Sequence, residues 1–126
     1  MDIVKLNEAL RSVFGIPPQA IKSRQLQALA WGRQGPFWYR GYFAAHARHF
    51  GPAPTVDEMD TILRNLGAKT IVVGHTKVER IAPLFGERRV LPIDIPWTHP
   101  ARVRGIVIRG KRIDVIDAQG TRRRLE

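Results

Sequence analysis

The spacing of apolar positions along the chain changes character near residue 68. Before that point apolar residues recur at intervals of three and four: Leu6, Leu10, Val13 and Phe14 within 4–14, then Leu26, Leu29 and Ala30 within 21–31. Both patterns predict amphipathic helices. Gly15 with Pro17 and Pro18 ends the first, and GRQGP closes the second. The strongest helical signal is TVDEMDTILRNLG, residues 55–67. Thr55 and Glu58 have capping-box spacing, and Asp57, Glu58 and Asp60 crowd the first turn, where the helix dipole favours anions. Met59, Ile62, Leu63 and Leu66 make the apolar stripe, and Gly67 stands at the position of a left-handed cap.

Beyond residue 68 the apolar residues gather in short runs, β-branched in the first and bounded by glycine. KTIVVGHT (69–76), RRVLPID (88–94), ARVRGIVIRG (101–110) and KRIDVIDAQG (111–120) predict four strands. Gly110 and Lys111 mark a hairpin between the last two, and IDVID alternates apolar residues with aspartate. The tail TRRRLE carries no structural signal. Helices first and strands last give an α+β or α/β class, and 126 residues make one domain, 1–126.

Composition narrows the chemistry. With no cysteine in the chain there is no disulfide, no thiolate metal site and no cysteine nucleophile, which fits a cytoplasmic protein. The N-terminus lacks the pattern of a secretory signal, and no stretch approaches eighteen apolar residues, so no membrane partner is expected. A formal net charge of +10, with arginine supplying 16 of the 21 basic residues, invites nucleic acid or another polyanion. The alternative is a basic solvated surface and nothing more.

Two stretches could carry chemistry. His75 follows the apolar run of VVGHT, and the C-terminal end of a strand is where an α/β sheet presents groups to a ligand. A histidine merely hydrogen-bonded at a strand end is the competing reading. In QGPFWYRGYF, residues 34–43, Phe37, Trp38, Tyr39, Tyr42 and Phe43 read as core, but Arg40 among them is costly to bury unless an anion pairs with it. His46 and His49 have the spacing of a helical pair with no carboxylate beside them, and His99 is isolated. No GxGxxG, Walker, GxSxG or HExxH pattern is present.

GPFWYRGYF, then VDEMDTILRNLGAK, then TIVVGHT and RRVLPID, in that order, resemble the C-terminal half of calcineurin-like metallophosphoesterases, in particular bacterial relatives of the PPP-type serine/threonine phosphatases. The opening IVKLNEALRSVFG is similar to that family's helix after its histidine-glycine-glycine motif. The resemblance implies half of an αββα sandwich, with 1–126 as a partial domain. It also implies metal-dependent hydrolysis of phosphate monoesters by two divalent ions, Mn, Fe or Zn, with a phosphorylated molecule as substrate. Carried over, His75 is the last metal ligand, Arg40 is the catalytic arginine that holds the phosphate, and Trp38 and Tyr39 line the neighbouring wall. GDxHG, GDxxDRG and GNHE are absent, so the same resemblance implies an incomplete enzyme that needs a complementary N-terminal chain or a homo-oligomer. A non-catalytic phosphate- or protein-binding remnant and, further off, a basic nucleic-acid-binding module are the alternatives.

Overall fold

Side-chain caps fix where the three longest helices begin. The structure is a computed structural model and describes residues 2–125. The chain divides into two compact units, Met1–Gly67 and Ala68–Glu126. The first unit is helical and the second holds all the strands. This is the expected order of helices followed by strands in a mixed α and β chain.

In the first unit the Asp2 carboxylate accepts from the Lys5 amide at 2.9 Å and opens α1, Ile3–Arg11. The Ser23 hydroxyl accepts from the Leu26 amide and opens α2, Arg24–Trp31. The two helices bury Leu10, Val13, Ile21 and Ala30 together, with Leu6, Leu26 and Leu29 packed against them. Phe14, expected on the same stripe, is 82% exposed. The reason is local: α1 stops at Arg11, and a turn over 12–15 takes Phe14 out of helical phase. After the aromatic segment a 3-10 turn leads into α3, Ala47–Phe50, and then α4, Val56–Leu66.

Helix α4 realises nearly all that its sequence predicts. Thr55 and Glu58 form the reciprocal capping box, with the Thr55 amide donating to Glu58 at 2.7 Å, and Gly67 caps the far end with φ of 64°. Met59 and Leu63 are buried. Ile62, expected beside them, is exposed, so the buried stripe is narrower than the apolar one.

In the second unit β1 (Ile71–Val73) pairs in parallel with β2 (Val90–Pro92). The segment expected to extend from residue 88 as strand is instead a tight turn, with Phe85, Gly86, Glu87 and Arg88 all at positive φ, before β2 begins. β3 (Arg104–Arg109), β4 (Arg112–Asp117) and β5 (Arg122–Arg124) form an antiparallel sheet in that order, with the hairpin at Gly110 and Lys111 as predicted. Ala101 and Arg102, expected at the start of a strand, instead belong to a 3-10 turn over Pro100–Arg102 that Pro100 initiates.

The tail holds a further strand that its composition hides. β5 consists of three arginines, so no apolar alternation announces it, yet register with β4 places Leu125 opposite Ile113, whose carbonyl accepts the Leu125 amide at 2.9 Å. Leu125 joins Ile81, Leu91, Ile95, Ile113 and Val115 in the core of this unit. On the other face of β4, Asp114 is buried and takes two hydrogen bonds from Arg112 Nε at 2.8 and 2.9 Å. That contact raises the Arg112 pKa, first through the hydrogen bond and then through the charge of Asp114.

Two outcomes are expected. Leu125→Ala should destabilise the second unit by about 2–4 kcal/mol, the usual cost of a buried leucine, read as a lowered urea midpoint. For α4, hydrogen bonds from the Thr55 backbone and then its side chain hold the Glu58 carboxyl below its ordinary value of 4.5. A depressed carboxyl stabilises the fold above that value, and the contribution is lost as pH falls below it. Glu58→Ala should therefore lower the thermal midpoint at pH 7, with the difference from wild type shrinking steadily below pH 4.5.

Candidate functional site

The aromatic segment is built as a run of turns rather than as helix or strand. The amides of Trp38 and Tyr39 both donate to the Gly35 carbonyl at 3.0 Å, and the Phe43 amide donates to the Arg40 carbonyl at 3.2 Å. Gly35 is buried against the end of α2, where a Cβ would collide with the Leu29 carbonyl oxygen. Gly41 is buried beneath the Tyr39 ring, and a Cβ there would collide with the phenol. The two glycines thus let the chain fold tightly back on itself, and the bulky residues between them are forced outward in different directions.

Trp38 and Tyr39, expected to line one wall, go to different surroundings. Trp38 stands 6.3 Å from Trp31, centroid to centroid, and with Phe37 it borders an apolar cavity of about 490 Å³ floored by Leu10, Val13 and Ala30. Tyr39 makes edge-to-face contacts with Tyr42 at 4.9 Å and Phe50 at 5.5 Å. Arg40 lies between Tyr39 and Tyr42 in sequence, half-buried, and among the described residues its Nε is buried with no hydrogen-bond partner. An unsatisfied buried N–H costs about 1–3 kcal/mol. A negatively charged oxygen would remove that cost, and a guanidinium presents it a planar fork of donors.

The histidines are distributed otherwise. His46 packs its ring against Phe43 and Phe50, at 6.1 and 6.4 Å, so it belongs to the aromatic cluster rather than to a chelating pair with the exposed His49. His99 Nδ1 accepts from the Ala101 amide and caps the 3-10 turn. His75, in the second unit, is exposed two residues after β1, with a left-handed backbone at φ of 66°. Such a conformation is uncommon outside glycine and marks a loop held in shape by its surroundings. The chain beyond β1 runs alongside that beyond β2: the Ile93 amide donates to the Val73 carbonyl and the Val78 amide to the Asp94 carbonyl, both at 2.9 Å.

No protein-family model and no curated protein matches the chain. Solved structures do. The crystal structure of the cold-active protein-tyrosine phosphatase of the psychrophile Shewanella sp. shares 29% identity at a TM-score of 0.75, over 98% of this chain and 35% of that one. A crystal structure of a point mutant of a cold-active protein tyrosine phosphatase shares 31% identity at a TM-score of 0.74, over 100% of this chain and 36% of that one. A structure of cold-active protein tyrosine phosphatase at 1.1 Å shares 30% at a TM-score of 0.75, over 100% and 35%. The chain therefore spans about a third of the length of these proteins.

These matches correct the family expected from the motifs. The matched proteins are described as protein-tyrosine phosphatases, not as calcineurin-like metallophosphoesterases of the serine/threonine type. Half of an αββα metallophosphoesterase sandwich is accordingly not supported. The expected metal-dependent function and its Mn, Fe or Zn cofactor are corrected with it, and the site supplies a local reason. A divalent centre needs several ligands converging on one point. Among the described residues no group of three or more His, Cys, Asp or Glu side chains is gathered, so His75 has no ligand set to complete. The residues present do not fit a divalent ion. Among the described residues, too, no helix is long and apolar enough to cross a membrane.

Burial, and then the neighbouring Tyr39, raise the Tyr42 pKa above 10.0. Its folded form keeps the phenol proton at a pH where the unfolded chain releases it. Stability is thus full below pH 10.0 and declines as pH rises through the folded value. Absorbance titration of the phenolates should show one tyrosine ionising later than free tyrosine, and Tyr42→Phe should remove that late component.

Proposed function

We propose that this chain is a segment of a protein-tyrosine-phosphatase-like hydrolase, and that its aromatic turn segment supplies the group that grips the phosphoryl moiety of a phosphotyrosine. The observation that carries this reading is the buried, unpartnered Nε of Arg40, set among rings in a chain that is 29–31% identical to protein-tyrosine phosphatases over nearly its whole length.

Arg40 is suited to both halves of that task. Its fork can bind two phosphoryl oxygens at once, which fixes the phosphorus in place. As the bond to the phenol oxygen lengthens, charge redistributes over the oxygens the fork already holds, and a donor aimed there stabilises the transition state. Partial burial strengthens each contact, because little water remains to screen it. Tyr39 and Tyr42 offer flat apolar surface of the kind a phenyl ring packs against. With no cysteine in these residues, a thiolate nucleophile does not come from them.

Calorimetric titration with phosphotyrosine and with tyrosine checks the assignment. Phosphotyrosine should bind and tyrosine should not. Arg40→Ala should weaken binding at least about tenfold, a loss of about 1.4 kcal/mol, and Arg40→Lys should fall between, since it keeps the charge but not the fork. Near-UV circular dichroism shows whether the variants keep the aromatic packing. Equal affinity of wild type and a folded Arg40→Ala would sink the reading.

A further inference from the structure

The second unit contains a cavity of about 730 Å³ that the proposed phosphotyrosine contact does not use. Strand register explains its composition. Arg104 on β3 stands opposite Asp117 on β4, and Val115 on β4 stands opposite Arg123 on β5, so these four share one sheet face. That face is apolar at Ile113 and Val115, where it meets Ile81 and Ile95, and turns basic where the apolar run ends. Arg80 and Arg102 reach the same space from the loop after β1 and from the 3-10 turn before β3.

Among the described residues basic groups outnumber acidic ones at the cavity. Asp117 Oδ1 accepts from the Gln119 and Thr121 amides, at 3.0 and 2.8 Å, so that oxygen is engaged in closing the turn. Among the described residues Glu79 is the one other acidic residue at the cavity. Among the described residues no ion pair holds Arg80, Arg102, Arg104 or Arg123. Arg104 Nη1 donates to the carbonyls of Ala101 and Val103, both at 2.8 Å, which fixes the direction of its guanidinium and leaves its other N–H groups for a ligand.

We infer that this cavity binds a small organic phosphate, with its anionic head among Arg80, Arg102, Arg104 and Arg123 and its apolar or aromatic body against Ile81, Ile95 and Val115. The volume is in the range of small-molecule sites, about 300–1,000 Å³. Arginine is the side chain best matched to a phosphate by geometry, and an apolar floor favours an organic body over a bare ion. The site lies within one unit and does not depend on the role given to Arg40.

1-Naphthylphosphonate, whose carbon–phosphorus bond resists hydrolysis, is the probe, titrated calorimetrically into the full chain. The expected result is saturable binding that Arg123→Ala and Arg102→Ala each weaken about tenfold. Arg122→Ala, a neighbouring arginine on the opposite sheet face, should leave it unchanged. Inorganic phosphate should bind about tenfold more weakly than the probe. Equal losses in Arg122→Ala and Arg123→Ala would mean diffuse charge attraction and overturn the site. Binding lost only in Arg40→Ala would place the ligand in the first unit, and phosphate binding as tightly as the probe would overturn the organic-phosphate assignment. Far-UV circular dichroism confirms that each exposed arginine variant remains folded.

Discussion

The alternation of side chains along β4 is the constraint on which the second unit rests. Ile113 and Val115 must face the core while Asp114 faces away, and a slip of one residue would exchange them. Burying Asp114 is tolerable only because Arg112, two residues back on the same face, places its guanidinium on the carboxylate. The register therefore carries an electrostatic lock as well as an apolar one. β3 follows from the hairpin, β5 follows from Leu125, and the basic end of the sheet follows from where the apolar run stops.

The first unit is organised by close approach instead. Gly35 against the Leu29 carbonyl and Gly41 beneath the Tyr39 ring compress ten residues into consecutive turns, and that compression leaves Arg40 partly enclosed without an acceptor for Nε. A fold tolerates such a deficit where the surroundings over-determine the conformation, and a ligand is one way of removing it.

What could be read from the sequence was what is locally determined. The capping box of α4, its terminal glycine and the Gly110 hairpin are set by residues within four positions of each other, so spacing alone finds them. Phe14 and Ile62 depart from the predicted stripe because periodicity gives the apolar face of a helix, but not where the helix stops or how wide its partner is. β5 was invisible since its strand character comes from pairing with β4 and from one leucine at its end. At the candidate site, Arg40 was identifiable from the cost of burying a charge among rings, whereas the divergence of Trp38 and Tyr39 depends on a glycine contact that no pattern encodes. The arginine cavity is equally hidden, for its four cations are dispersed over more than forty positions and meet through strand register at Arg104 and Arg123 and through a loop and a 3-10 turn at Arg80 and Arg102.

β5 bears on how a second copy of the chain could pair with this sheet. Among the described residues it forms one edge of its sheet, with backbone groups open to another strand, and such edges seed aggregation unless something discourages pairing. Here the guard is the strand's own content. A second copy docking antiparallel along β5 would set arginine against arginine at every rung, and repulsion between like charges opposes each backbone bond gained. Three residues that look like an unstructured basic tail thus set a charge penalty on antiparallel pairing at the edge that they themselves create.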